Sequence, residues 1–596
     1  MQKINKNLLL YTTLWIFLLS ATFVVSPRLW NPTETGKYFY LALAVCVAYP
    51  VACFRFLANR SAFRITLTDI ALFCFVLWIF ARNVLSGGLR SGMSLWFFTL
   101  LPPLYVIVRT GHGVASVAEH IRPILWIIVS ATIIEAIWGF LQLYGLLQSY
   151  NSVFAISGSF FNPGPYSGFL ACGVPLALYF TLKGRNRAEK ILGIAGIVSS
   201  VVILPATMSR AAWIAVFAGC LYFVPKSKKL HWRFIVWGGL LVALFLAGVY
   251  LLKKESADGR VFVWRTSMSL VRENPLAGSG FGSFQPLYCG AQADYFLTAK
   301  ATEEELMMAN APEYAFNEYL QITVEHGIIG LLLFLFAVYA LFARKRNFQD
   351  AGAVETACED NNGIKSAVQG SLTTFLVFAF FSYPFSVPAL SLLFVVLAAI
   401  SASLSSPVEW LSRRRIGFPV LVLCLGLTVY AGIRILSQYA AYREWKSAQT
   451  YYNTKDWKKA EAEYGRLYPE LNQQKHFLFE YALCLSETGQ YEASNGIFFR
   501  FLYFGSDPMV YNCMGNNYKN MGDYEKAENM YFLALHTVPN RHYPLYLLMK
   551  LYADSGSPEK AKKMAKILLE KPVKVESQAI EEMMEEAKKM LESNNN

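Results

Sequence analysis

The sequence predicts an all-α protein in two parts: a polytopic bundle of membrane-spanning helices, then a C-terminal α-solenoid of short helical repeats. Three observations predict it. The 596-residue chain is 55% hydrophobic and 15% aromatic with only 16% charged residues, too apolar for an ordinary soluble protein. Apolar runs long enough to cross a bilayer recur from the N-terminus to about residue 436. From residue 440 the chain turns polar and acquires a repeating pattern of small and aromatic residues.

The apolar runs fall near 8–26, 38–55, 69–85, 93–108, 122–146, 166–182, 190–207, 211–225, 233–252, 319–343, 367–386, 388–405 and 416–436, about 12–13 spans, with the split at 386–388 the least marked. The first follows MQKINK, has an apolar core too long for a typical signal peptide and meets no convincing small-x-small site, so it reads as a retained anchor. Basic residues then fix the orientation. Lys3 and Lys6, Arg55, Arg60 and Arg64, Arg109 and Arg122, KGRNR at 183–187, KSKKLHWR at 226–233, RKR at 344–346 and RRR at 413–415 all fall on one side. The positive-inside rule makes that side the cytoplasm, with the N-terminus on it. On the outer side lie the loop 148–165, the long loop 253–318 and everything after about 437. In a two-membrane bacterium that side is the periplasm and the membrane is the inner one. The expected division is a membrane domain over 1–436 and a repeat domain over 440–596.

Within the tail, residues 509–540 carry Gly515, Tyr518, Gly522, Tyr524, Ala527, Tyr531, Ala534 and Pro539 at spacings like those of the tetratricopeptide repeat. Ala482, Gly489, Tyr491 and Phe498 stand one period earlier, and Tyr552, Gly556 and Ala561 one period later. Trp457, Ala460 and Tyr464 mark a degenerate first repeat. About three to four repeats are expected, and a stacked solenoid offers a concave face to a protein partner.

Composition and motifs remove several function classes. The formal charge of +13 sits mostly in short loops between apolar runs, with no basic stripe or recognition motif, so nucleic acid is not an expected partner. The ten cysteines are scattered without a C-x-x-C and read as small apolar residues. There is no P-loop, G-x-S-x-G, H-E-x-x-H or D-x-D pair. GSGFGSF at 278–284 has glycines near the dinucleotide spacing but lies in an outer loop without βαβ context. No cofactor and no metal site are expected.

What remains is arginine at the outer surface and polar residues entering a span. Arg210 opens the eighth span from outside, and Arg260, Arg265 and Arg272 lie early in the long loop. Arginine grips phosphate through a planar fork and keeps its charge, although a single arginine at a membrane edge equally meets lipid headgroups. In PEYAFNEYLQITVEHGIIGLLLFLF at 312–336, Glu313, Asn317, Gln321 and Glu325 fall four apart and would line one face of a helix. Glu135 sits well inside the fifth span, where a carboxylate either lines a functional cavity, pairs with an arginine, or bonds a neighbouring helix. FFNPGPYSGF at 160–169 reads as a loop breaking into the sixth span.

The run from Ser209 to Trp213, the G-R-x-x-x-W-R segment, N-P-L-A-G-S-G-F-G-S-F, and N-E-Y-L-Q followed by E-H-G-I-I-G-L occur in one order. Together they resemble the O-antigen ligase family, which includes bacterial O-linked oligosaccharyltransferases and is related to O-antigen polymerases. The resemblance covers roughly 60–410 and is densest at 205–335. It implies a glycosyltransferase that needs no metal and moves a glycan from an undecaprenyl-diphosphate carrier to a lipid A core sugar or a protein hydroxyl, outside the inner membrane. It implies diphosphate binding by Arg210 and by an arginine of the early loop, Arg265 first and Arg260 close behind. It implies an acceptor side carrying Glu313, Asn317, Glu318 and Gln321. The family's histidine just before the Asn of N-E-Y-L is Phe316 here. Phenylalanine cannot take a proton, so Glu313 or Glu318 is the expected replacement. His326 would lie roughly 15 Å further along a regular helix.

Three rivals stay open: a polymerase acting on the same carrier, a transporter, and a non-catalytic scaffold of envelope assembly, to which Phe316 lends support. The transporter lacks an evident internal repeat between halves.

Overall fold

The computed structural model describes residues 6–58, 63–85, 92–110, 117–223, 236–240, 248, 254–298, 301–343, 355–411 and 418–592. Among the described residues the fold is all-α apart from one short antiparallel pair. The helices before residue 253 are α1 (Lys6–Leu19), α2 (Pro32–Ala58), α3 (Leu67–Leu85), α4 (Gly92–Thr110), α5 (Val117–Leu143), α6 (Pro163–Lys183), α7 (Arg187–Ile203) and α8 (Arg210–Cys220). The segment after 253, expected as a loop, folds into α9 (Lys254–Glu273), α10 (Phe284–Thr298) and α11 (Glu303–Met308). Then come α12 (Glu318–Phe342), α13 (Glu355–Ala379), α14 (Pro388–Ser403) and α15 (Phe418–Asn453). Twelve of the thirteen predicted spans thus correspond in order to α1–α8 and α12–α15. The span 233–252 and the basic clusters at 226–233, 344–346 and 413–415 lie outside the described residues, wholly or for the most part. Among the described residues, six helices are long and apolar enough to cross a membrane, and four shorter apolar ones accompany them.

Two helices form the centre. α6 is buried along most of its length and α14 along nearly all of it. α3 and α7 instead present Phe73, Leu77, Ile191 and Val198 outward, as helices facing lipid do. Small residues bring backbones together: a Cβ on Gly173 would meet Thr132 Oγ1 at 2.2 Å, and one on Gly219 would meet the Gly370 carbonyl at 2.6 Å. The loop arginines are not free charges. Arg109 binds Asp69 through Nε and Nη2, each at 2.8 Å, and Arg122 binds Glu189.

The tail forms α16 (Trp457–Leu471), α17 (Lys475–Glu487), α18 (Tyr491–Phe504), α19 (Pro508–Asn520), α20 (Tyr524–Thr537), α21 (Tyr543–Asp554), α22 (Pro558–Glu570) and a closing α23 (Gln578–Glu592). The end of α15 pairs with α16, and three further hairpins follow, so four repeats stack. α15 runs unbroken through 436–440, so no linker separates the expected domains. Gly489, Gly522 and Gly556 turn between the helices of the last three repeats at φ of 83°, 81° and 73°, which glycine does without strain, and Lys455 turns the first at 59°. Gly515 is small for another reason: a Cβ there would meet the Tyr531 ring at 2.3 Å.

Candidate active site

The expected polar helix face is only partly helical. α12 begins at Glu318, and Asn317 is its N-cap, its Oδ1 accepting from the Leu320 amide at 3.1 Å. Glu313 therefore lies in the preceding loop, not on the helix. Asn317 is engaged in holding the helix start. Of the four residues expected in line, Gln321 and Glu325 share the face, with Gln321 Nε2 donating to Glu325 Oε1 at 3.3 Å. Phe316 has a φ of 53°, an uncommon conformation for a bulky side chain, and turns the chain into the cap.

α12 breaks at Gly327, whose φ of 68° and ψ of −174° belong to glycine alone. The NPLAGSGFGSF segment docks into that break. The Ser279 and Gly280 amides donate to the Val324 and Glu325 carbonyls at 2.9 and 2.8 Å, and the Ile328 amide donates to the Pro275 carbonyl at 2.8 Å. From α3, Arg82 donates to the Ala277 and Gly278 carbonyls and Trp78 to the His326 carbonyl. The glycines of 278–282 thus serve backbone-to-backbone approach: a Cβ on Gly278 would lie 2.4 Å from the Glu325 carbonyl carbon.

Above this junction is a cavity of about 710 Å³. Its wall includes Glu313, Glu318, Gln321 and Glu325, joined by Glu34 from α2 and by Lys475 and His476 from α17. Glu318 is buried and accepts from the Phe385 amide at 2.7 Å. Gln321 Oε1 accepts from the Ala315 amide at 3.3 Å. Glu34 accepts from Asn31 Nδ2 at 2.5 Å. Glu313 pairs with Lys475, whose Nζ also donates to Gln285 Oε1 at 2.8 Å. Burial alone would raise the Glu313 carboxyl, but the Lys475 ammonium outweighs it and holds the group below the usual carboxylate range.

The arginines stand behind an aromatic partition. Tyr314, on the cavity wall, stacks on Tyr383 with ring centroids 4.2 Å apart, and Phe316 meets Tyr383 edge-on at 5.6 Å. On the Phe316 ring lies Arg260, with Nη1 donating to the Phe381 carbonyl at 2.8 Å. Burial and the neighbouring Arg210 charge both push the Arg260 pKa down. Arg210 is the first residue of α8, whose N-cap Ser209 accepts from the Ala212 amide. Among the described residues neither arginine forms an ion pair with a carboxylate. Arg265 is elsewhere: it is exposed and ion-paired with Glu305 of α11.

Glu135 does not line the cavity. It is fully buried, accepts from the Ser159 hydroxyl at 2.6 Å and the Ser159 amide at 3.0 Å, and faces Lys37, which donates to Ser159 Oγ at 2.9 Å. With Gln142, whose Oε1 accepts from the Ser157 and Gly158 amides, it shapes the loop entering α6. Among the described residues, the side-chain hydrogen bonds of Glu135 run to Ser159 in the loop before α6 and not to a neighbouring helix.

Residues 195–335, which hold Arg210, Arg260, the glycine segment and the start and break of α12, match the family model described as O-antigen ligase. Over that stretch the chain is similar to the O-antigen ligase family. Residues 442–505 match a model of YpiA-like C-terminal tetratricopeptide repeats, beginning inside α15. A Rickettsia conorii protein is 31% identical to this chain over 121 residues, 19% of this chain and 26% of that one. A Rickettsia felis protein is 30% identical over 144 residues, 23% of this chain and 30% of that one. Both bear the provisional name polysaccharide ligase. The chain thus spans under a third of the length of these curated relatives. A solved structure of the APC/C hetero-tetramer Cut9-Hcn1 overlaps 93% of this chain and 90% of its own at 11% identity, and its TM-score of 0.23 carries no argument.

Proposed function

We propose that this ligase-domain protein transfers a glycan from undecaprenyl diphosphate to a hydroxyl of a lipid A core sugar or a protein, at the outer face of the bacterial inner membrane. The observation that carries the reading is the pair Arg210 and Arg260. Two neighbouring guanidiniums without a carboxylate between them call for an anion, and a diphosphate supplies two phosphates for two forks. Arg260 takes the role expected of Arg265, whose fork already holds Glu305. The positive end of α8 adds to the same field.

In this reading the acceptor enters the cavity lined by Glu34, Glu313 and Glu318. Its oxygen forms a bond to the anomeric carbon, and the bond from that carbon to the phosphate oxygen breaks with its electron pair. The charge gathering on the leaving diphosphate is what Arg210 and Arg260 would stabilise. Mass spectrometry of the undecaprenyl-linked glycans in a deletion strain tests the reading. Accumulation of finished glycan, with loss of one attached product, is expected, and that product names the acceptor. Accumulated single repeat units would make the protein a polymerase; an unchanged pool would leave a scaffold or a transporter.

A further inference from the structure

Transfer takes a proton from the acceptor hydroxyl, and the groups on the cavity wall differ in their freedom to accept it. Glu313 is bound to Lys475. Glu318 is held by the Phe385 amide. Glu325 receives Gln321 and the backbone of Gly282 and Phe284. His326 is buried at the helix break against Phe281. His476 is different. It is half-exposed, its ring lies 4.8 Å from the Trp30 ring, and its Nε2 is 3.9 Å from Glu313 Oε1. A base facing the site with a carboxylate behind it is the arrangement that general-base chemistry uses.

We propose that His476, carried to the cavity by the repeat domain with Glu313 as its nearest carboxylate, receives the acceptor proton, so that the first repeats are part of the active site. This rests on the transfer reading above. The acceptor oxygen bonds to the anomeric carbon, undecaprenyl diphosphate leaves with the electron pair, and the hydroxyl proton passes to imidazole Nδ1 while Nε2–H faces Glu313. The charged groups around the ring are Lys475 on its own helix, Glu313 from the loop before α12, and Glu34 from α2. Burial and Lys475 hold the imidazole below its ordinary pKa against the pull of Glu313, which keeps it neutral and able to accept. Trp30, stacked at 4.6 Å on Trp445 as well, fixes the ring plane. The competing base is Glu34, bonded to Asn31.

The test uses membranes of the deletion strain expressing the full chain, with the cell's own undecaprenyl-diphosphate-linked glycan as donor and its disappearance followed by mass spectrometry. His476→Gly should slow it by on the order of 100-fold. Added imidazole should restore part of the rate, which a merely structural role would not allow. His476→Gln, the control for folding, should lose the acid limb of the pH–rate profile. A His476→Gly protein within about threefold of wild type, or one that imidazole leaves unchanged while Glu34→Gln is inactive, overturns the assignment. Wild-type membranes that leave the pool intact would overturn the transfer reading itself and this inference with it.

Discussion

The guanidinium of Arg260 lies 5.3 Å above the ring of Phe316. The aromatic face attracts the cation, and the Phe381 carbonyl holds its Nη1. Phe316 touches Tyr383, and Tyr383 stacks on Tyr314 at the cavity wall. Position 316 therefore supports Arg260, and in the proposed transfer the proton would pass to another residue.

Arg210→Ala and Arg260→Ala should each lower glycan transfer by on the order of 100-fold, the effect of removing one donor from a developing anion. Arg265→Ala, which breaks the pair with Glu305 and a side-chain bond with Tyr295 away from the cavity, should stay near wild type. Arg260→Lys should recover part of the rate at most, because an ammonium lacks the planar fork. Transfer rates from variants matched for expression decide this. Equal rates for Arg260→Ala and wild type would remove Arg260 from the diphosphate site.

Phe316→Ala should cost about two- to fivefold, corresponding to the loss of a cation–π contact of about 0.5–1 kcal/mol. In the Arg260→Ala background it should cost almost nothing, since the contact is already gone. A double-mutant cycle on transfer rate measures the coupling. Additive effects would show that Phe316 acts independently of Arg260.

The membrane helices and the repeats were legible because both are periodic: apolar runs of bilayer length and a repeated pattern of Gly, Tyr and Ala mark themselves residue by residue. The site was legible only in pieces. Arg210 and Arg260 could be found by type and position, and Arg265, five residues on and so about 140° round the helix, turns toward Glu305 instead. Glu313 and Asn317 share the helical spacing of Gln321 and Glu325, yet the positive φ of Phe316 starts the helix later. Glu34 looked like any polar residue at the start of a span, and Lys475 and His476 like any surface of a repeat. Their place on the wall depends on contacts between residues 162 positions apart, and no local pattern encodes those.

Gly327→Ala should disturb the junction of α12 with the glycine segment. The added Cβ would meet the Leu276 carbonyl oxygen at 2.1 Å, in a backbone conformation that alanine resists by about 1–3 kcal/mol. A lower thermal midpoint of the detergent-purified protein and weakened transfer are both expected. An unchanged midpoint would mean that the segment can slide away without loss.

Lys475 and Glu313 hold the repeat domain against the cavity, and a charge swap tests that directly. Lys475→Glu and Glu313→Lys should each loosen α17, read as faster proteolysis or hydrogen exchange of its amides. The double variant should restore protection. The pair is partly exposed, so its contribution is on the order of 1 kcal/mol or less. Because Glu313 is depressed when folded, its contribution is present above the ordinary carboxylate value and is lost as pH falls through the folded one. His476, also depressed, acts in the same direction: its neutral folded form becomes costly below the ordinary histidine value. Protection of α17 should therefore decline on acidification, and less steeply in Lys475→Met. Transfer should recover only in part in the double swap, because the exchanged charges restore the ion pair but leave His476 without a carboxylate behind it at position 313. Full recovery of transfer would show that Glu313 serves the repeat domain alone.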